Sequence, residues 1–306
     1  MQYIFILLIL LGLSCENLEK KEVENQPSLS ELELIVRQDQ DNRAVFEYDD
    51  YEKILLTIKD KQCKVLPLYQ MKDYYDSTII IVGIKHDVDR HPFKALEIAE
   101  IEKKYGFSST YYFLPTAMYY GKHEKDKIFI RYSCLDDIYL KIFLKGHEIG
   151  IHNDLLTVMI EWGLEPFKFN KFTIDEFNRI GIPIYGTSSH GANICYAVKH
   201  YNFEIFSDFA TTKEIEYGQK KYLIGQKTLK EFGFAYEAYH IDYNIYISDV
   251  GGKWYFSNDK KHFVDMFFEK NNLSNNSFDD VLNKIKNAKA GDRIVILTHP
   301  VWWGKK

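Results

Sequence analysis

Runs of apolar, β-branched residues alternate with helical runs along most of the chain, and this alternation limits the fold more than any other feature. Residues 79–84 and 294–297 are predicted to be buried strands, and residues 93–105 a helix that stops at Gly106. The other predicted strands are 109–114, 149–151 and 182–187, and the other predicted helices are 46–59, 135–145, 172–179 and 278–288. This order predicts an α/β fold with a parallel sheet, and the number of units favours a (β/α) barrel, complete or incomplete. A doubly wound sheet is disfavoured because no Gly-x-Gly-x-x-Gly loop follows the first strand.

The composition is that of a folded chain with a sizeable core. Of 306 residues, 46% are hydrophobic and 16% aromatic, which excludes a wholly disordered chain. The 39 basic and 44 acidic residues give a formal net charge of −5, which argues against a general nucleic-acid binder. No apolar run reaches 20 residues, so no ordinary membrane-spanning helix is predicted. These features do not identify a protein partner.

The N-terminus has the layout of an export signal that ends in a cysteine. Residues 3–13 are apolar, and Ser14-Cys15 precedes a polar stretch. This layout resembles a bacterial lipoprotein signal, which implies lipidation of Cys15 and a membrane-anchored protein of the cell envelope. A plain secretory signal is the alternative. The expected organisation is a signal peptide at 1–14, a lipid-anchored flexible tether at 15–30 and a single domain at 31–306.

Polar motifs stand at the ends of four predicted strands. They read His86-Asp-Val-Asp89, His147-Glu-Ile-Gly-Ile-His152, Ser188-Ser-His190 and Leu297-Thr-His299. One histidine alone is usually a satisfied polar group, but a barrel brings the carboxyl ends of all its strands to one rim. Carboxylates and imidazoles are ligands for zinc or another divalent first-row metal. The sequence therefore predicts a metal site at this rim.

Spacing within the motifs separates the candidate residues. Asp87 and Asp89 lie two residues apart, so an extended backbone points both side chains to the same side. One of them could bind a metal while the other acts as a base. His147 and His152 lie five residues apart, which in an extended chain is about 16 Å and places them on opposite faces. His152 is therefore the candidate ligand, and His147 is expected to be structural, bonded to backbone at the strand entry.

The motifs HDVD, GHEIGIH, SSHG, SDVGGKW and LTHP, in this order, resemble the polysaccharide deacetylases of carbohydrate esterase family four. The resemblance covers residues 45–306 and implies a distorted, seven-stranded (β/α) barrel with one divalent metal ion, zinc first and cobalt or nickel as alternatives. It implies Asp87 as general base, His299 as general acid, and Asp89 and His152 as metal ligands. The implied substrate is an N-acetylated carbohydrate or polysaccharide.

Three departures from the family pattern affect this assignment. HDVD stands where TFDDG is usual, no Arg-x-Pro motif is recognisable, and the histidine that usually follows four residues after the first is Leu156 here. His190, at another strand end beside a glycine, is the leading substitute for the third ligand. Asp154, two residues after His152, is the alternative.

Candidate substrate contacts follow from sugar chemistry. Trp302 and Trp303 come just after His299, and exposed aromatic faces stack on sugar rings. Asp249 lies at another predicted strand end and is assigned to sugar contact, with the orientation of a catalytic histidine or the capping of a turn as alternatives. The predicted function is metal-dependent removal of N-acetyl or related acyl groups from a carbohydrate. The alternatives are a catalytically weak or inactive relative that binds glycan, and a hydrolase of another amide or ester. A serine hydrolase is disfavoured because no Gly-x-Ser-x-Gly elbow is present.

Overall fold

A computed structural model describes residues 26–40, 44–124, 128–258 and 276–304. The expected signal peptide at 1–14 and the expected lipidation site Cys15 lie outside these ranges. Within them, no helix combines the length and the apolar character needed to cross a membrane.

The described strands are short and most belong to one sheet. They are β1 (Phe46–Glu47), β2 (Lys64–Val65), β3 (Ile81–Val88), β4 (Thr110–Phe113), β5 (Gly121–Glu124), β6 (Ile128–Arg131), β7 (Glu148–Asn153), β8 (Gly186–Ser189), β9 (Lys213–Tyr217), β10 (Lys220–Ile224), β11 (Tyr236–Glu237), β12 (Ile245–Ser248), β13 (Tyr255–Ser257), β14 (Arg293–Thr298) and β15 (Trp303–Gly304).

The described α-helices mostly connect successive strands. They are α1 (Leu29–Gln40), α2 (Tyr48–Asp60), α3 (Leu68–Met71), α4 (Pro92–Tyr105), α5 (Asp136–Leu144), α6 (Leu155–Ile160), α7 (Pro166–Arg179), α8 (Asn193–Val198) and α9 (Phe278–Lys286).

The main sheet is curled into a half-barrel. Its path runs β11-β8-β7-β4-β3-β14-β12-β13, and β2 pairs with β3 beside this path. Every pair is parallel except β12 with β13. All residues of β3 and β14 are buried, as expected for parallel strands covered on both faces. The predicted α/β class and parallel sheet are therefore confirmed.

Several elements begin and end at residues other than those predicted from the sequence. The strand predicted at 79–84 occupies Ile81–Val88 instead. It continues through the polar residues of the HDVD motif, which are as buried as the apolar residues before them. The strand predicted at 182–187 occupies Gly186–Ser189. Helix α1 begins at Leu29, inside the segment that was expected to be a flexible tether.

The inner face of the sheet is packed with aromatic rings over small residues. Gly150 on β7 and Gly186 on β8 leave room for Tyr112 and Tyr236, since a Cβ at either glycine would overlap one of these rings. The two phenol oxygens are 2.7 Å apart, and Tyr236 donates to the carboxylate of Glu148 at 2.7 Å. Burial raises the pKa of Glu148 to about 7, against the hydrogen bonds from Tyr236 and Thr110.

On the opposite face of the sheet, the buried carboxylate of Glu102 in α4 accepts several hydrogen bonds. Tyr51 and Tyr111 each donate to it at 2.6 Å, and His86 Nε2 lies 3.0 Å away. His86 also bonds through Nδ1 to Thr298 Oγ1 at 2.6 Å, which ties β3 to β14 directly before the candidate site.

The structural role expected for His147 is confirmed. The Ser109 N–H donates to its Nδ1 at 3.2 Å, and its Nε2 donates to the Ala99 carbonyl at 3.2 Å.

Candidate metal centre

The predicted site residues meet at one edge of the sheet because their strands are parallel and adjacent. Asp87 lies in β3 and Asp89 directly follows it, while His152 is the last residue but one of β7. His190 follows β8, and His299 follows β14. In the sheet order β8-β7-β4-β3-β14, these positions all fall at the carboxyl ends of the strands.

Asp89, His152 and His190 form a group that could hold a metal ion. His152 Nε2 lies 3.1 Å from Asp89 Oδ1 and 3.1 Å from His190 Nδ1, and His190 Nδ1 lies 3.4 Å from Asp89 Oδ1. Asp89 Oδ1 is buried and makes no well-aligned hydrogen bond among the described residues. Two imidazole nitrogens and a carboxylate oxygen suit a divalent first-row metal, so the donor set fits the ion expected from the sequence.

The backbone of β8 fixes the ring orientation of His152. Its Nδ1 lies 2.8 Å from the carbonyl oxygen of Ser188, and a carbonyl can only accept, so Nδ1 carries the proton. Nε2 is then the ring nitrogen that faces Asp89 and His190, 3.1 Å from each. A metal-binding histidine is commonly oriented by such a bond from its other nitrogen.

The electrostatics of the group favour an ionised carboxylate. Burial would raise the pKa of Asp89, but His190 and His152 outweigh it and hold that pKa well below its usual value. In turn, burial would lower the pKa of His190, but the Asp89 carboxylate raises it above the ordinary value.

Asp87 lies beside the group with one oxygen held and one oxygen unbonded. Its Oδ2 is 3.3 Å from Lys85 Nζ and accepts from Ser188 Oγ at 3.4 Å. Its Oδ1 is buried and has no hydrogen-bond partner among the described residues. Burial would raise the pKa of Asp87, but Lys85, then His152 and His299, keep it below its usual value. An ionised carboxylate with a free acceptor oxygen is suited to a general base.

His299 is paired with a completely buried carboxylate. Its Nδ1 donates to Asp249 Oδ1 at 2.6 Å, and its backbone N–H lies 3.0 Å from both Asp249 oxygens. Burial opposes the charged ring, but Asp249, with Asp89 and Asp87, raises the pKa of His299 to about 9. A protonated imidazole beside an ionised aspartate is suited to a general acid.

The candidate sugar contacts need correction. Trp303 is 0% exposed and donates its indole N–H to Asp249 at 2.8 Å, so neither face is open to a sugar ring. Asp249 is also fully buried, and its position fits the orientation of His299 rather than sugar contact. Trp302 is partly exposed, and its contact with a sugar ring stays a prediction.

Asp154, the alternative third ligand, is engaged elsewhere. It accepts from Thr116 and Thr157 at 2.7 Å each and from Asn202 at 3.2 Å. It is not among the three residues whose ligand atoms converge. His190 is therefore the third member of the group.

Lys85 was missed by sequence reasoning, although the sequence carried a signal for it. It lies two residues before Asp87 in an apolar strand, and the alternation of side chains puts both on one side. Its ammonium is fully buried, donates to Ser188 Oγ at 2.8 Å and lies 4.1 Å from the ring centre of Tyr239. A lysine inside a buried strand is rare unless its charge is paired.

Comparisons of this chain with protein-family models, with curated proteins and with solved structures find no match. A metal-ligand group is flanked by a carboxylate suited to accept a proton and by an imidazolium suited to donate one. This arrangement fits hydrolysis of a bond whose leaving group needs protonation.

Proposed function

We propose that this protein is a metal-dependent hydrolase that removes N-acetyl or related acyl groups from a carbohydrate or polysaccharide. Asp89, His152 and His190 would hold one divalent ion, zinc first and cobalt or nickel as alternatives. When bound, the ion would supply Lewis-acid activation of water and of the carbonyl group. The observation that carries the proposal is the convergence of this group with Asp87 and His299 at one edge of the sheet.

The protein's own residues divide the proton transfers between them. Asp87 takes a proton from the attacking water through its free oxygen, while Lys85 keeps the carboxylate ionised. His299 gives a proton to the departing amine, which is a poor leaving group without it. Asp249 holds the imidazole in place and stabilises its charge. A protein that only bound glycan would need neither an acid nor a base, so this pairing disfavours the binding alternative.

The proposal includes the family and the location expected from the sequence. The curled parallel sheet, with its site at the carboxyl ends of the strands, supports a distorted, seven-stranded barrel of the polysaccharide deacetylase type. Lipidation at Cys15 would anchor the domain in the bacterial cell envelope, where polysaccharide substrates occur.

Metal analysis combined with a deacetylation assay tests the function. Purified protein incubated with zinc should contain about one metal ion per chain and release acetate from N-acetylated chito-oligosaccharides. His190→Ala should lower the metal content, whereas His200→Ala, at a histidine paired with Glu204, should not. Asp87→Asn should abolish turnover and retain the metal. Absence of metal from the native protein after incubation with zinc, cobalt or nickel would favour the glycan-binding alternative.

A further inference from the structure

A cavity of about 600 Å³ opens beside the metal-ligand group, and its surface is more polar than apolar. Asp89 and His190 form part of its lining, so a molecule in the cavity would reach two of the three candidate ligands. Leu32 and Ile194 lie beneath this surface, since each is only 2% exposed. The volume lies in the range of small-molecule sites, in which a few polar groups fix what is bound.

The cavity contains a guanidinium group that is open to a ligand. Arg90 directly follows Asp89, is exposed and lines the cavity. Three carboxylates line the same cavity, those of Asp89, Asp154 and Glu161, yet none of them pairs with it. Within the ranges that the structure describes, the Arg90 side chain makes no hydrogen bond or ion pair. Its fork of N–H donors is therefore free to bind an anion.

A second donor stands near the other cavity-lining ligand. Asn193 comes three residues after His190, is exposed and lines the cavity. Its side-chain amide makes no hydrogen bond to the described part of the chain. Gly191, between the two, is exposed and has no side chain that could cover the approach. Each ligand that lines the cavity is thus followed by a group that can donate hydrogen bonds to a bound molecule.

The carboxylates of the lining do not exclude an anion. Asp154 accepts three hydrogen bonds from side chains around it. With a divalent ion bound at Asp89, the ion and Arg90 together balance the three carboxylates. Glu161, exposed directly after α6, forms no ion pair with the described residues and can accept hydrogen bonds from hydroxyl groups. The cavity therefore offers a cation for an acid group and acceptors for hydroxyl groups, which are the contacts that an acidic sugar needs.

We propose that this cavity binds an anionic group of the substrate at Arg90, and that the preferred substrates are acidic amino sugars. The anion is a carboxylate or a phosphate on the acylated sugar or on the sugar next to it. This inference rests on the proposed function. An arginine fork binds either anion through two parallel hydrogen bonds. Because neighbouring Cα atoms lie about 3.8 Å apart, a group held by Arg90 stays close to the amide that reacts beside Asp89.

Three sugars that differ only at carbon 6 test the inference by binding. They are N-acetylglucosamine, its uronic acid and its 6-phosphate. In titrations followed by nuclear magnetic resonance on the protein incubated with zinc, an anionic sugar should bind about tenfold more tightly than the neutral one. The tighter of the two anionic sugars identifies the anion. Arg90→Gln should remove the preference, and Arg37→Gln is the matched control, since Arg37 lies on α1 outside the cavity lining.

The outcomes separate this inference from the proposed function. An anionic preference that is lost in Arg90→Gln and kept in Arg37→Gln supports the inference. Equal binding of the three sugars overturns it, even if acetate is released from them. A preference that survives Arg90→Gln also overturns it, because the anion then binds the metal ion. Absence of acetate release from these sugars and from chito-oligosaccharides overturns the hydrolase but leaves the binding result unaffected. Circular dichroism checks that both variants fold.

Discussion

Replacing Asp249 by asparagine would remove the charge that faces His299 and keep the shape of the side chain. In the native protein the pKa of His299 is raised from 6.5 to about 9 although burial works against the charged ring. A difference of about 2.5 pKa units corresponds to about 3 kcal/mol in favour of the imidazolium. Asp249 is the largest contribution to this rise, and its Oδ1 lies 2.6 Å from the ring nitrogen.

The variant should lower the pKa of His299 by about 1–3 units, because burial persists and only the more distant carboxylates still oppose it. The metal-free protein is the form to measure, since a bound cation would add its own field. The Cε1–H signal of His299, identified by its loss in His299→Gln, gives the pKa by nuclear magnetic resonance. Trp303→Phe is the control, since it removes a hydrogen bond to Asp249 but keeps the charge.

The same change should alter the pH dependence of stability. The folded pKa of His299 lies above the unfolded value, so its contribution is fully present below about pH 6.5 and is lost as the pH rises through 9. Asp249→Asn should flatten this part of the curve in urea unfolding. If His299 in the variant still titrates near pH 9, Asp249 is not the cause of the rise, and the reasoning about the general acid fails.

Three further substitutions test the buried charges. Lys85→Met should cost about 3 kcal/mol of stability, because it leaves Asp87 buried without its cation. It should also move the acidic limb of the pH–kcat profile to higher pH; an unmoved limb would exclude control of the base by Lys85. Glu102→Gln should destabilise the protein by about 3 kcal/mol at pH 7 in urea unfolding, because the pKa of Glu102 is lowered to about 2. Glu100→Gln, at an exposed ion pair, should cost less than about 1 kcal/mol, and an equal loss would contradict this role. Glu148→Gln should remove a fall in stability of up to about 3 kcal/mol between pH 4.5 and pH 7, because the raised pKa of Glu148 makes the native state bind more protons there. An unchanged slope in urea unfolding would contradict it.

The strands that could be predicted from the sequence are those whose burial on both faces requires a run of apolar residues. The runs at 79–84 and 294–297 are apolar because both faces of β3 and β14 are covered. It misplaced β8, whose residues Gly186–Ser189 are small and polar and resemble a loop. Gly186 is small because Tyr236 packs over it, and no local pattern reveals that contact.

The candidate ligands could be predicted because they follow strands, but the cavity could not. Asp89 and His190 each come directly after a strand, and the parallel order of the sheet brings such positions together. The cavity beside Asp89 and His190 depends on α1, which lines it together with loops more than 50 residues away in sequence, and amphipathic spacing alone does not say what a helix covers.

Position 156 does not carry a potential metal ligand, yet three potential ligands still converge at the edge of the sheet. Leu156, where the resembling family has a histidine, is completely buried in an apolar cluster with Met159, Ile160 and Ile194. His190, after β8, the strand next to that of His152, instead completes the group that could hold a metal ion. Because parallel neighbours end at the same edge, a side chain from either can reach the same point. The missing histidine therefore does not by itself argue against metal binding, and the distances among Asp89, His152 and His190 argue for it.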